Sequence, residues 1–259
     1  MQYLSGGKEM SKRFEGANSY TGTRADDYDE IRKKKKEWKV SEDIVFNLLK
    51  DITANQNELT VLDIPVGTGR FFNIYKKFSL KVIGIDISND MLKMAQKKSS
   101  DVDLRKGDIL NLPLDIKPNI VICVGFLHLI TKEDIKKVIQ SIMKTETEYV
   151  IISALIETSK KEITEKAVIK TTSSINRIRK LTKDAYQCLL REGVKNTLLK
   201  IKQFERMSHP NEDLIINEFN KNKFVVKNKI DFGKTLGSTD YIFLFSKELI
   251  LIILKILYF

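Results

Sequence analysis

Up to Ala154 the apolar positions follow two alternating rhythms. Short β-branched runs recur as TVLDI (residues 60–64), KVIGIDIS (81–88), VDLRKGDI (102–109), NIVICVGFL (119–127) and residues 149–154. Between them the spacing becomes helical. Ile44, Val45, Leu48, Leu49 and Ile52 share one helix face, with Ser41 as the expected N-cap. Phe71, Phe72, Ile74 and Tyr75 form a second helical group, and Met91, Leu92 and Met94 a third. Thr131 and Asp134 resemble a capping box opening TKEDIKKVIQSIMK. Strands separated by helices predict a parallel sheet covered on both faces. After Ala154, residues 160–206 read as a helical insertion. A helix over 214–219 then precedes FVVKNKI (224–230) and DYIFLF (240–245), an antiparallel pair joined by GKTLGST. The expected fold is α/β: seven strands, mostly parallel with a terminal antiparallel strand, and an insertion between strands five and six. The expected divisions are an N-terminal segment (1–40), one domain (41–247) and an apolar tail (248–259).

Composition narrows the chemistry. In 259 residues, 42% are hydrophobic and 31% charged, as in a globular protein. Cys123 and Cys188 lack disulfide-scaffold or zinc spacing, and His128 and His209 are too few for a multi-imidazole metal site. The net charge is +11, of which residues 160–206 carry +8, with 13 Lys/Arg against 5 Asp/Glu. That permits an anionic partner without naming one. Tyr186 and Phe204 are the only aromatic residues in that stretch, so a base-stacking platform for RNA is poorly supported. Arg32 to Lys36 read as a solvated basic helix face. The N-terminus has no apolar core for a secretory signal, and Met10 is a second plausible start. The segment Leu249 to Phe259 is apolar except for Lys255 and too short to span a bilayer. It is read as a core helix, a membrane or partner anchor, or an altered terminus. The expected location is the cytoplasm, with a membrane-peripheral one as the alternative.

The chemistry concentrates at the strand ends. LDIPVGTGR (residues 62–70) places Asp63 at the end of the first strand, then a turn with Pro65, Gly67 and Gly69 before a helix. Glycines there allow positive φ and close approach of a ligand to the backbone. Asp86 ends the second strand, where a carboxylate accepts from two ribose hydroxyls. Asp108 follows the third strand, where it can accept from an adenine amino group. The fourth strand exits through Gly125 to His128. Each aspartate alone reads as a cap or turn residue. Three at successive strand ends meet at one sheet edge.

Together these features resemble the class I S-adenosylmethionine-dependent methyltransferase family, over residues 41–155 and 211–247. The resemblance implies a Rossmann-like fold and S-adenosylmethionine as cofactor. It implies that the loop matched by Asp63, Gly67 and Gly69 holds the methionine portion, Asp86 the ribose, and Asp108 with the backbone of Ile109 the adenine. Met91 matches an apolar position against the adenine ring. Arg70, Ile87 and Gly125 complete the expected cofactor set. Pro65 departs from the glycine usual there and removes one N–H. A dinucleotide-binding fingerprint fits less well, since its third glycine falls at Phe72. The segment before the first core helix closes the cleft in related enzymes, which makes Tyr20, Tyr28 and Arg32 candidates for a lid or substrate contact.

The sulfonium donor is already activated, so alignment of an acceptor is the main task. CVGFLHL lacks the Asn/Asp-Pro-Pro-aromatic signature of nucleic-acid amino methyltransferases. The expected acceptor is therefore a small-molecule, lipid or glycan-precursor anion. An RNA methyltransferase using the basic insertion and a non-catalytic cofactor-binding protein are the alternatives. His128 reads as a general base or as a structural histidine at the cleft wall. No metal is expected.

Overall fold

The computed structural model describes residues 27–113, 115–157, 210–235 and 238–247. Tyr20, the insertion at 160–206 and the tail at 248–259 lie outside the described residues, as does most of the N-terminal segment. The helices are α1 (Tyr28–Lys33), α2 (Lys36–Thr53), α3 (Phe72–Lys77), α4 (Asn89–Lys98), α5 (Lys132–Met143) and α6 (Glu212–Lys221). The strands are β1 (Thr60–Asp63), β2 (Lys81–Asp86), β3 (Asp103–Lys106), β4 (Ile120–Cys123), β5 (Tyr149–Glu157), β6 (Phe224–Thr235) and β7 (Ser238–Lys247).

These strands form one sheet in the order β3-β2-β1-β4-β5-β7-β6. The first five pair in parallel, and β7 runs antiparallel to both β5 and β6. The period of two divides the core. Val61, Ile120, Ile122, Ile151, Ile242 and Leu244 face α2, α3 and α4. Leu62, Val121, Cys123, Val150, Ile152, Phe243 and Phe245 face α5 and α6. Each fully buried aliphatic side chain contributes roughly 1.5–3 kcal/mol.

Helix α2 begins at Lys36, one turn and a half before the expected start, so Ser41 is not its cap. Ser41 is buried and donates its hydroxyl to the Trp38 carbonyl at 2.8 Å. Helix α5 starts as expected: the Thr131 hydroxyl accepts from the Asp134 N–H at 3.1 Å. Strand β3 is shorter than expected. Asp108 instead caps a short 3₁₀ turn, Ile109–Asn111, by accepting from the Leu110 N–H at 2.9 Å. The β6–β7 hairpin runs further toward the carboxyl end of β5 than expected and carries two irregularities, at Val226/Asn228 and Asp231/Gly233. Such bulges twist an edge strand away from unwanted pairing.

Candidate active site

Strand order reverses between β1, which leads outward to β2 and β3, and β4, which leads to β5. In open α/β sheets the crevice at such a switch, outside the carboxyl ends of the strands, is where ligands bind. Here the glycine loop crosses that crevice. The Val66 N–H bonds to the Ile85 carbonyl at 2.9 Å, which seats the loop on the end of β2. Gly67 then turns with φ +55° and gives its N–H to one Asp86 oxygen at 2.8 Å. The other Asp86 oxygen accepts from the Ser88 N–H, also at 2.8 Å. Asp86 is 6% exposed. Burial raises its pKa, while the N–H groups of Ser88, Gly67 and Ile87 oppose that rise.

Asp86 stands between two lobes of one cleft. The smaller lobe, about 290 Å³ including space open to solvent, is lined by Ile64, Pro65, Asp86, Ile87, Gly107, Asp108, Ile109 and Phe126. The larger, about 640 Å³ on the same measure, is lined by Tyr28, Pro65, Gly67, Asp86, Ile87, Ser88, Met91, Val124, Gly125, Phe126 and Leu129. Pro65, Asp86, Ile87 and Phe126 form the shared wall. Gly67 and Gly125 both have positive φ, and a Cβ built on either would meet nothing within 4 Å. Both glycines therefore leave room where the cleft is open. The Gly125 N–H is held by the Ser153 hydroxyl at 2.7 Å.

The structure thus brings Pro65, Gly67, Asp86, Ile87, Met91, Asp108, Ile109, Gly125 and Tyr28 to one cleft. Asp63, Gly69 and Arg70 are not among its lining residues. Asp63 is 3% exposed and accepts from the Tyr75 hydroxyl at 2.9 Å, in the packing between β1 and α3. Burial first, then the nearby Asp86 charge, push its pKa to about 7 against the opposing Tyr75 hydrogen bond and Arg70 charge. At Gly69, with φ +72°, a Cβ would lie 2.4 Å from the buried Phe72 ring. The Phe72 position is thus filled by a ring that the missing Cβ admits. Arg70 turns toward α2. It donates to Glu42 at 3.1 Å, to the Trp38 carbonyl at 2.5 Å and to the Ser41 hydroxyl. Its guanidinium lies 4.0 Å from the Trp38 ring centre and 4.7 Å from that of Phe71. Burial is the main reason its pKa is lowered.

Arg32 stacks over Tyr28 at 5.2 Å and does not line the cleft. His128 lies in the short turn Leu127–Leu129 beside the cleft, and its neighbour Leu129 is the lining residue. Phe126 falls in the expected strand exit, Gly125 to His128, whereas Ser88, Val124 and Leu129 were not expected site residues. The signal for Ser88 was its position two residues after the strand-end acid and immediately before a helix, where it caps α4. Among the described residues no group of three or more His, Cys, Asp or Glu side chains is placed to hold a metal. Nor is any helix there long and apolar enough to cross a membrane.

Residues 61–145 match the sequence model of the family described as Methyltransferase domain. Over those residues the chain is similar to that family. The chain is 30% identical over 86 residues to an uncharacterized methyltransferase-like protein of Schizosaccharomyces pombe, covering 32% of this chain and 34% of that protein. It is 30% identical over 100 residues to the malonyl-[acyl-carrier protein] O-methyltransferase of Hamiltonella defensa, covering 39% and 38%. These alignments thus span little more than a third of the curated relatives' length. The fold reaches further. Magnesium protoporphyrin IX methyltransferase from Synechocystis PCC 6803, solved with bound S-adenosylhomocysteine, superposes with a TM-score of 0.64 at 18% identity, covering 90% of this chain and 98% of that one.

Proposed function

We propose that the protein transfers a methyl group from S-adenosylmethionine to a small-molecule, lipid or glycan-precursor acceptor. The observation that carries this reading is a single cleft at the β1/β4 switch, walled by Gly67, Asp86, Asp108 and Gly125. The residues fit the cofactor: a Cβ at Gly67 or Gly125 would enter open space, and Asp86 presents a carboxylate between the two lobes. When bound, S-adenosylmethionine supplies an activated sulfonium methyl. In this reading Asp86 accepts from the ribose hydroxyls, Asp108 and the backbone of Ile109 read the adenine, and the Gly67 turn receives the methionine portion. Asp63, Gly69 and Arg70 support the loop from behind.

The rest of the larger lobe favours alignment over proton transfer. Val124, Phe126, Leu129 and Met91 make it apolar, and among the described residues Asp86 and the Tyr28 phenol are the only ionisable side chains lining it. Such walls orient an acceptor and keep water out. Relatives named for a porphyrin and for malonyl-[acyl-carrier protein] support a small or carrier-borne acceptor. The basic insertion that motivates an RNA acceptor, and the tail that motivates membrane contact, lie outside the described residues.

Calorimetry with S-adenosylmethionine, S-adenosylhomocysteine and NAD(P) tests the cofactor, and binding of NAD(P) alone would sink this reading. Transfer of a labelled methyl into lysate fractionated into lipids, RNA, protein and small molecules then identifies the acceptor class. With that acceptor, His128→Ala retains activity within about tenfold, short of the roughly 10²–10⁴-fold supplied by a general acid or base. A hundredfold loss at unchanged cofactor affinity makes His128 catalytic.

A further inference from the structure

Three separate elements wall the larger lobe: α1 through Tyr28, the glycine loop through Gly67, and the start of α4 through Ser88 and Met91. One polar cluster ties all three together, and each tie falls on α4 itself or next to a lining residue. Asp29 follows Tyr28, and Thr68 follows Gly67. The Thr68 hydroxyl donates to one Asp29 oxygen at 2.6 Å. Lys98, the last residue of α4, pairs with the other Asp29 oxygen and donates to the Thr68 hydroxyl at 3.2 Å. Thr68 is 1% exposed and the Asp29 side chain 15%, so these bonds are shielded from solvent competition.

Helix α1 has little of its own to hold it. It is six residues long, and its N-cap residue Asp27 makes no side-chain capping bond. A helix this short is marginal without tertiary contacts. Besides the Asp29 cluster, aromatic contacts hold it. Tyr28 meets the edge of Trp38 at 5.8 Å, and Trp38 carries the Arg70 guanidinium on its face. Asp29 and Trp38 thus support the placement of Tyr28 at the cleft, and both lead back to the glycine loop, at Thr68 and Arg70.

We infer that Asp29 is a positioning residue, a latch that joins α1 to the glycine loop and α4, seats Tyr28 over the larger lobe, and sets how fast the cofactor enters and leaves. This rests on the cofactor reading above. A latch of this kind lowers the fraction of time the lobe is open, so it slows association and dissociation together. A residue that merely stabilised the fold would change the melting temperature and leave exchange rates alone.

The test is stopped-flow exchange of S-adenosylhomocysteine on the full chain. Asp29→Ala raises the dissociation rate about tenfold and also raises the association rate, so that Kd changes less than either. Tyr28→Ala does the same, and the double variant Tyr28→Ala/Asp29→Ala is no faster than Tyr28→Ala alone, because the latch acts through the tyrosine. Asp29→Asn, which keeps the shape, carries the test if the alanine variant does not fold. Unchanged exchange in Asp29→Ala, or additive effects in the double variant, overturns the latch while leaving the cofactor reading intact. A wild-type chain that does not bind S-adenosylhomocysteine overturns both.

Discussion

Two carboxylates end the adjacent strands β1 and β2, one on each side of the glycine loop. Asp63 belongs to the dry side. Its recorded hydrogen-bond partner is the Tyr75 hydroxyl of α3, and the adjacent β4 residue Cys123 is also buried, its thiol pushed up by burial and by the Asp63 charge. Asp86 belongs to the open side, where it bonds the N–H groups of Gly67 and Ser88 and still borders both lobes of the cleft. Both carboxyls are shifted upward by burial, but only Asp86 has backbone donors opposing the shift. The difference teaches that a strand-end acid in this fold lies either in the packing behind the loop or at the cleft in front of it. The deciding factor is which neighbours take its oxygens.

The largest effect that separates the two is the pH dependence of stability. The Asp63 carboxyl is raised from 3.8 to about 7 in the fold. A raised carboxyl contributes stability that is fully present below the unfolded pKa and lost as pH rises through the folded one. Stability therefore falls between about pH 4 and pH 7, by at most about 4 kcal/mol from this group if the whole shift is realised. Asp86, raised, and Asp240, raised to about 6 by burial beside Glu37, act in the same direction. Asp63→Asn should accordingly flatten, though not abolish, the decline seen in urea unfolding at pH 5 and pH 8. Its S-adenosylhomocysteine affinity should remain close to that of the wild type. An unchanged slope together with a large loss of affinity would place Asp63 on the ligand side and break the comparison.

Next in size is the converse. Asp86→Ala removes a charged acceptor from the cleft and should weaken S-adenosylhomocysteine binding by about 1–3 kcal/mol. Because Gly67 and Ser88 also lose their acceptor, some stability goes with it, so affinity is measured calorimetrically at a temperature where the variant is folded. Undiminished binding would remove the assignment of Asp86 to the ribose.

Much of this division was hidden in the sequence for a physical reason. Alternation of apolar runs located all seven strands, and the antiparallel terminal pair followed from one polar turn. Spacing also brought Asp86, Asp108, Gly67 and Gly125 to one edge. But spacing carries no information about long-range partners. Asp63 and Asp86 look equivalent until Tyr75 and the Gly67 N–H claim their oxygens. Ser41 looks like a cap because the regular apolar face begins only at Ile44, yet the helix starts at Lys36 and Arg70 reaches Ser41 from 29 positions away. The same Arg70 reads as a cofactor contact from its place in the loop, and in the fold its guanidinium bonds Glu42, the Trp38 carbonyl and Ser41 of α2. Strand ends were misjudged where backbone pairing continues without apolar side chains, as at Asp231 to Gly233 opposite Asp240 and Tyr241.

The smallest predicted effect sharpens the comparison within the loop itself, because its two glycines repeat the contrast of the two acids. Both hold positive φ, +55° at Gly67 and +72° at Gly69. Alanine in that conformation costs roughly 1–2 kcal/mol at either position. Beyond that shared strain the surroundings differ. At Gly69 the new methyl would fall 2.4 Å from a carbon of the Phe72 ring, itself 7% exposed and packed close to Phe71 and Tyr75. The ring cannot yield without disturbing the packing between α3 and the sheet, so Gly69→Ala should lower the melting temperature more than Gly67→Ala does. At Gly67 the methyl meets no protein atom within 4 Å and enters the larger lobe instead. Gly67→Ala should therefore stay nearer the wild type in melting temperature and lose more S-adenosylhomocysteine affinity. Thermal melts and calorimetry on the two single variants give two orderings, and the argument requires them to be opposite. If both variants lose affinity and stability in the same order, the loop does not divide a packing side from a ligand side.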